Sequence, residues 1–122
     1  MTKKILVVDD EADIRLSVKQ VIEGIGFQAK AVSSGKAALK ALEKEGFDLV
    51  LLDVFMPEMS GRQVLEKIRQ GKKTRGQKVA FLTVAQMNQA GKKKIAELKA
   101  ADYIQKPVDV EDLSRKIKKL VK

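Results

Sequence analysis

Apolar and polar residues alternate along this chain with two different periods. Continuous apolar runs occur at residues 5–8, 49–52 and 79–82, which is typical of strands that are buried on both faces. Weaker runs at 27–32 and 102–105 predict two further strands. The first of these alternates apolar with polar residues, as expected where one side meets solvent. The pattern therefore predicts five strands.

A helix is predicted after each strand, because apolar residues recur there at every third or fourth position. Ser60 and Gln63 have the spacing of a capping box, which predicts the start of the third helix. The fourth stripe is the poorest in apolar residues, so we expect a loosely held helix there. The apolar stripes span residues 14–25, 37–42, 64–68, 87–98 and 113–121.

Strands and helices that alternate with short connections predict an α/β fold, in which a parallel sheet carries helices on both faces. The three most apolar strands are the first, third and fourth, so they belong in the centre of the sheet. The doubly wound order 2-1-3-4-5 satisfies that placement, in a (βα)5 flavodoxin-like three-layer sandwich. No linker or internal repeat is visible, and we expect residues 1–122 to form a single domain.

The composition excludes several kinds of site. The 122 residues include no cysteine, which excludes disulfides and thiolate metal sites, and no histidine, so any phosphohistidine donor must be another molecule. The N-terminal segment lacks the long apolar core of a signal peptide, and no apolar run approaches the length of a membrane span. We therefore expect a soluble, cytosolic protein that does not bind membranes.

The net charge of +9 is unevenly distributed along the chain. Residues 1–61 hold 8 basic and 10 acidic side chains, a net charge of −2, whereas residues 62–122 hold 17 and 6, a net charge of +11. A basic module that binds nucleic acid or another polyanion would explain this asymmetry. Few aromatic residues interleave with the lysines, and no recognition helix is evident, so we keep this function only as the alternative.

Polar residues follow the predicted strands where each of them ends. Asp9 and Asp10 follow the first strand, Asp53 ends the third, Thr83 ends the fourth and Lys106 follows the fifth. Parallel strands end at one edge of a sheet, so these side chains should meet beside the point where the strand order reverses. Each residue also has an ordinary structural interpretation, namely capping for the three acids, strand propensity for the threonine and a solvated turn for the lysine.

Three carboxylates placed this close together repel one another, and at least one pKa should rise unless something neutralises them. A hard divalent cation such as Mg²⁺ is the simplest remedy, because it prefers oxygen ligands. A hydroxyl from Thr83 and an ammonium from Lys106 beside such a site would suit the oxygens of a phosphoryl group, with Asp53 as the nucleophile. An aspartyl-phosphate hydrolase would also use an acid and Mg²⁺, but its nucleophile would belong to an Asp-x-Asp motif on the first strand.

The motifs at these strand ends resemble those of response-regulator receiver domains, the phosphoacceptor modules of two-component signalling. The resemblance runs from Ile5 to about Leu120 and implies that Asp53 accepts a phosphoryl group from a histidine kinase. It also implies which residues bind the metal, which contact the phosphoryl group and which change conformation on phosphorylation. The matching motifs are Val7-Val8-Asp9-Asp10-Glu11, Asp53-Val54-Phe55-Met56-Pro57-Glu58-Met59-Ser60-Gly61, Leu82-Thr83 and Asp102-Tyr103-Ile104-Gln105-Lys106-Pro107.

By this resemblance, Asp10, Asp53 and the backbone carbonyl of Phe55 would bind Mg²⁺, with Asp9 acting largely through water. Thr83 and Lys106 would hold the phosphoryl oxygens. Tyr103 would turn inward when Thr83 moves, although it is also a plausible gap-filling aromatic on an edge strand.

The resemblance further implies Mg²⁺-dependent self-phosphorylation and slow self-dephosphorylation, but no other enzymatic activity. Phosphorylation would change a protein-binding surface around the fourth helix and fifth strand, in a monomer or a weak phosphorylation-dependent dimer, and we do not expect direct binding of nucleic acid. Four positions depart from the common family pattern. Val84 replaces a small residue, Lys99 and Ala101 stand where many members have glycine and aspartate, and Val108 replaces phenylalanine.

Overall fold

The structure is a computed structural model that describes residues 2–83, 93, 96, 97 and 99–122. Its strands are β1 (Lys4–Val8), β2 (Gln28–Val32), β3 (Leu49–Asp53), β4 (Val79–Thr83) and β5 (Asp102–Gln105). The helices with defined bounds are α1 (Ala12–Gly24), α2 (Gly35–Lys44), α3 (Gly61–Gln70) and a C-terminal helix, Val110–Leu120. The predicted stripe at 87–98 lies mostly outside the described residues; within it Lys93, Ala96 and Glu97 are helical.

The five strands form one sheet in the order β2-β1-β3-β4-β5, and every neighbouring pair is parallel. The predicted fold class and strand order are therefore confirmed. All residues of β3 and β4 are buried, whereas β2 alternates exposed and half-buried positions. This difference follows from position, because central strands are covered on both faces and an edge strand is not.

Two hydrophobic clusters cover the two faces of the sheet. One packs α2 and α3 against alternate strand residues such as Leu52 and Phe81, and includes Leu65. The other packs α1 and the C-terminal helix against the intervening strand residues, and includes Leu51 and Leu113. Because successive side chains of a strand point to opposite faces, the same three apolar strands supply both clusters.

Capping residues fix where the helices start. The Ser60 hydroxyl accepts a hydrogen bond from Gln63 N–H, and the Gln63 side chain accepts one from Ser60 N–H, which confirms the predicted capping box. The Ser34 hydroxyl caps α2 by accepting from Ala37 N–H. Asp109 occupies the N-cap of the C-terminal helix but makes no side-chain cap bond. None of the helices in the described part of the chain is both long and apolar enough to cross a membrane.

Candidate functional site

Four polar side chains are buried at the edge where the strands end. Asp9, Asp53, Thr83 and Lys106 are at most 7% exposed, and they are the only buried polar or charged residues in the part of the chain that the structure describes. All four are site residues predicted from the sequence. Backbone pairing fixes two of them relative to each other, since Lys106 N–H donates to the Thr83 carbonyl at 2.7 Å. Burial of this many polar groups requires that they satisfy one another or a ligand.

Lys106 lies between two of the acids. Its Nζ is 2.7 Å from Asp9 Oδ2, 3.4 Å from Asp53 Oδ1 and 3.7 Å from the exposed Glu11. The interpretation of Lys106 as a solvated turn lysine is therefore wrong. Because its ammonium reaches both buried carboxylates, it is the countercharge that allows them to share this pocket.

Asp9 also contacts the segment that leads into α1, although the N-cap of that helix has no side-chain cap bond. Its Oδ1 accepts a hydrogen bond of 2.9 Å from the N–H of Glu11, which is the N-cap residue of α1. Its backbone carbonyl accepts a bond of 2.8 Å from the guanidinium of Arg15. Its Oδ2 faces the Lys106 ammonium at 2.7 Å. One oxygen of Asp9 is thus used by the fold, and the other is directed into the pocket.

The capping contact of Asp53 is long, since the backbone nitrogen of Phe55 lies 3.4 Å from its Oδ1. A cap of that length contributes little, because hydrogen bonds weaken steeply at such distances. The ring of Phe55 is 61% exposed, so the residue beside the pocket does not belong to the core. Capping therefore does not occupy Asp53, which leaves its carboxylate available for chemistry.

Gly61 positions this loop, a role that the sequence pattern did not reveal. A Cβ on Gly61 would lie 2.2 Å from the Asp53 carbonyl oxygen and 2.9 Å from Val54 Cα, distances that real Cβ atoms do not reach. Its N–H donates to the Val54 carbonyl at 2.9 Å. The first residue of α3 therefore packs directly on the backbone of the proposed nucleophile, and only glycine permits that approach.

The electrostatics of the pocket agree with the crowding expected from the sequence. Burial, followed by the nearby negative charge of Asp9, raises the pKa of Asp53 from 3.8 to about 6, although Lys106 opposes the rise. Burial alone would lower the pKa of Lys106, but its contacts with Asp9 and Asp53 outweigh that effect and raise it. The lysine thus stays charged, and Asp53 is largely ionised at neutral pH.

The acids of the pocket also fit a metal ion. One carboxylate oxygen each from Asp9, Asp10 and Asp53 lies within 4.8 Å of the others, two of the residues being buried and Asp10 exposed. An all-oxygen donor set with one member open to solvent suits Mg²⁺, which keeps several of its waters.

Comparison with known proteins decides between the functions that this geometry permits. The sequence model of the response regulator receiver domain matches residues 5–118. The chain belongs to this family. Transcriptional regulatory protein CrdR of Helicobacter pylori is 35% identical over 119 residues, which cover 98% of this chain and 55% of that protein. Sensor protein GacS of Pseudomonas syringae is 37% identical over 95% of this chain and 13% of that protein.

Solved receiver structures are similar to this chain over nearly their whole length. Chemotaxis protein CheY4 of Vibrio cholerae superposes with a TM-score of 0.92 at 25% identity, covering 98% of this chain and 99% of that one. A CheY-like receiver domain protein from Methanospirillum hungatei gives a TM-score of 0.89 at 32% identity, covering 99% and 94%. The chain thus matches whole receiver structures, whereas it spans about half or less of the curated relatives described above.

The family match confirms the predicted function class, a phosphoacceptor domain of two-component signalling, and does not favour the alternative of a basic nucleic-acid or polyanion module. A receiver is a signalling domain and not a classical enzyme. The chain is homologous to receivers that accept a phosphoryl group from histidine kinases.

The receiver's predicted switch residue, Tyr103, lies outside this acidic pocket. It pairs with Phe81 of β4 and packs, half-buried, against the cluster that covers the α2 and α3 face. Lys116 of the C-terminal helix donates to the Tyr103 carbonyl at 3.0 Å, and its Nζ lies 5.5 Å from the centre of the Tyr103 ring. The ring is thus held between the sheet and a lysine, on the strand next to Thr83.

Proposed function

We propose that Asp53 is the residue that accepts the phosphoryl group in this receiver, with a phosphohistidine of a separate kinase as donor. The observation that supports this most strongly is the burial of Asp9, Asp53, Thr83 and Lys106 together at the ends of four strands. No other buried polar group in the described ranges competes for the role. The carboxylate of Asp53 is the natural nucleophile because it ends the central strand β3 beside Lys106, and its capping contact with Phe55 is long.

Transfer to Asp53 follows from the groups around it. A carboxylate oxygen of Asp53 forms the new bond to phosphorus while the bond from phosphorus to the imidazole nitrogen breaks, and the bonding electron pair stays on that nitrogen. A pKa of about 6 leaves Asp53 largely ionised at neutral pH, so it needs no base. Lys106, 3.4 Å from Asp53 Oδ1, is placed to remain with the group after transfer and to offset its negative charge.

Asp10, Asp53 and the carbonyl of Phe55 would hold Mg²⁺ directly, and Asp9 would act through a bound water. When bound, the ion would neutralise charge on the phosphoryl oxygens and on the acids. The close packing of Gly61 on the Asp53 backbone supports the part assigned to Phe55, because it fixes the loop that carries that carbonyl. Thr83, at the end of the neighbouring strand, would donate its hydroxyl to a phosphoryl oxygen.

The phosphorylated receiver would signal through a change in its protein-binding surface. Movement of Thr83 towards the phosphoryl group would vacate space beside β4, and Tyr103 on β5 would turn inward to fill it. That rearrangement would alter the surface formed by β5 and the segment before it, and so the binding of a downstream protein. Slow loss of the phosphoryl group to water, catalysed by the receiver itself, would end the signal.

Residues 1–122 would form one receiver domain that acts in the cytoplasm. It would work through protein contacts, as a monomer or as a weak dimer when phosphorylated. The target protein would bind the rearranged surface directly, and nucleic acid would take no part in that contact.

A direct experiment combines two readouts. Acetyl phosphate with Mg²⁺ should add the mass of one phosphoryl group, and beryllofluoride with Mg²⁺ should change the fluorescence of Tyr103. That fluorescence is specific because the chain has one tyrosine and no tryptophan. Asp53→Asn should abolish both responses.

Asp48→Asn is the matched control, because Asp48 is an exposed acid just before β3, at the opposite end of the same strand. It should respond as the native protein does. A mass increase that persists in Asp53→Asn, or native protein that fails to respond at all, would disprove the assignment.

A further inference from the structure

A cleft of about 630 Å³ lies at the edge of the sheet opposite the acidic pocket. Lys78 directly precedes β4 and Ala101 directly precedes β5, so the cleft lies at the starts of the strands whose ends carry Thr83 and Lys106. Its lining includes four basic side chains and one acidic side chain, a net charge of +3. They are Arg69, Arg75, Lys78, Lys99 and Glu97.

Arg69 gives this cleft a fixed wall. Its guanidinium donates to the carbonyls of Arg75 at 3.0 Å and Gln77 at 2.7 Å, both in the loop before β4. It also donates to the Lys99 carbonyl, in the segment before β5, at 2.8 Å. Arg69 therefore braces two separate segments against each other, so the cations that they carry belong to a defined cleft.

The other three cations have no acidic partner among the described residues. Within the described ranges, Arg75, Lys78 and Lys99 make no ion pair with a carboxylate. The Lys78 ammonium instead donates to the Leu120 carbonyl at the end of the C-terminal helix. Like charges gathered in one cleft repel one another, and a bound anion would relieve that repulsion.

The backbone of Lys99 has a conformation that few side chains adopt. Its φ of 59° lies in the left-handed region, where a side chain is unfavourable and glycine is preferred. This chain has a lysine at that position, and the lysine lines the cleft. Glycine would suit this backbone conformation better, so the Lys99 side chain can be removed there without straining the fold.

We propose that this cleft binds a compact, multiply charged phosphate anion of the size of tripolyphosphate. Guanidinium and ammonium groups are the side chains that best match phosphate oxygens. The volume is that of a small-ligand site. No aromatic ring is among its described lining residues, so recognition would depend on the phosphates and not on a stacked base. The site is separate from Asp53, and both can be filled at once.

The probe is inorganic tripolyphosphate, titrated into the protein without Mg²⁺ and followed by amide chemical shifts. The shifts of Gly76, Gln77 and Ala101 should move, and those of Asp53 and Phe55 should not. Affinity should fall as salt is raised. A nucleoside triphosphate should bind as tightly as tripolyphosphate, because only the phosphates are recognised. Tighter binding of the nucleotide would mean that the cleft also recognises the base, and would contradict the proposed chemistry.

The double variant Arg75→Gln, Lys99→Gln should weaken binding by at least about tenfold, because two charge-assisted contacts are lost. Its matched control is Lys36→Gln, Lys40→Gln, which removes the same charge from exposed positions on α2. Equal affinity in the double variant and the native protein, or an equal loss in the control, would disprove a defined site. Binding of duplex DNA without binding of tripolyphosphate would also disprove it.

Lys99→Gly separates ligand binding from folding. Glycine suits the left-handed backbone, so the melting temperature should stay the same or rise while tripolyphosphate binding weakens. Unchanged affinity in this variant would show that the lysine side chain is not part of the site.

Discussion

At the scale of single residues, the acidic pocket is governed by one lysine. Lys106 reaches Asp9 at 2.7 Å and Asp53 at 3.4 Å, and this arrangement allows two carboxylates to be buried together. Lys106 does not fully compensate the negative charge of the two acids, since burial and the charge of Asp9 still raise the pKa of Asp53 to about 6. The folded receiver therefore carries an electrostatic cost at the residue that it uses for signalling.

That cost predicts a dependence of stability on pH. The folded state holds a proton on Asp53 more tightly than the unfolded chain, so stability from this group is present at low pH and is lost as pH rises from about 4 to about 6. The loss amounts to at most about 3 kcal/mol at neutral pH. Asp53→Asn should therefore be more stable than the native protein at pH 7.5, and the difference should shrink towards pH 4.

Urea unfolding at several pH values measures this difference. Asp109→Asn is the matched control, since Asp109 is an exposed N-cap acid without a side-chain cap bond. It should show no comparable change between pH 4 and 6. A stability gain in Asp53→Asn that does not vary with pH would contradict the assigned pKa.

The exposed acid of the pocket provides a second test. Asp10→Asn removes one of three clustered carboxylates and should raise the melting temperature without metal by roughly 2–4 °C. Mg²⁺ should raise the melting temperature of the native protein, because it binds the folded state only, and should stabilise Asp10→Asn less. Thermal scans with and without Mg²⁺ measure both effects. Melting temperatures that stay the same in both comparisons would mean that the three acids do not repel one another appreciably.

At the scale of secondary-structure elements, the site depends on how closely α3 approaches β3. Gly61→Ala would place a Cβ 2.2 Å from the Asp53 carbonyl oxygen, and this backbone cannot yield as a flexible side chain would. We expect a loss of about 2–3 kcal/mol in unfolding free energy and slower phosphorylation by acetyl phosphate.

Gly46→Ala is the control for this substitution. A Cβ on Gly46 would meet nothing within 4 Å, and stability should change by less than about 0.5 kcal/mol. A Gly61→Ala variant as stable and as reactive as the control would show that the contact has no consequence.

The strand pattern predicted much of this arrangement. Continuous apolar runs identified the central strands, and the parallel topology then brought Asp9, Asp53, Thr83 and Lys106 to one edge before any distance was known. The tight approach at Gly61 could not be predicted in this way, because it depends on the separation of two backbones. The bracing by Arg69 and the left-handed φ of Lys99 likewise follow from three-dimensional geometry that has no periodic signature.

At the scale of the whole molecule, the two hydrophobic clusters share the same strands. Leu65 belongs to the cluster on one face and Leu113 to the cluster on the other, and both are fully buried. Leu65→Ala and Leu113→Ala should each lower the unfolding free energy by about 2–5 kcal/mol. Because the strands are common to both clusters, each variant should still unfold in a single transition.

Circular dichroism and Tyr103 fluorescence, followed together during urea unfolding, report on the whole chain and on β5. Coincident curves are expected in the native protein and in both variants. Separate transitions by the two probes would show that the faces unfold independently, contrary to the single domain proposed for residues 1–122.

The contact of Lys116 with β5 also bears on how this receiver avoids aggregation. A strand at the edge of a sheet can template pairing with another molecule, and proteins often guard such edges with short strands and lysines. β5 is an edge strand of only four residues, and the Lys116 ammonium bonds the carbonyl of Tyr103 within it. The same lysine that steadies the proposed switch thus occupies an acceptor that an incoming strand would need. Any change that frees Tyr103 would also uncover that edge for pairing.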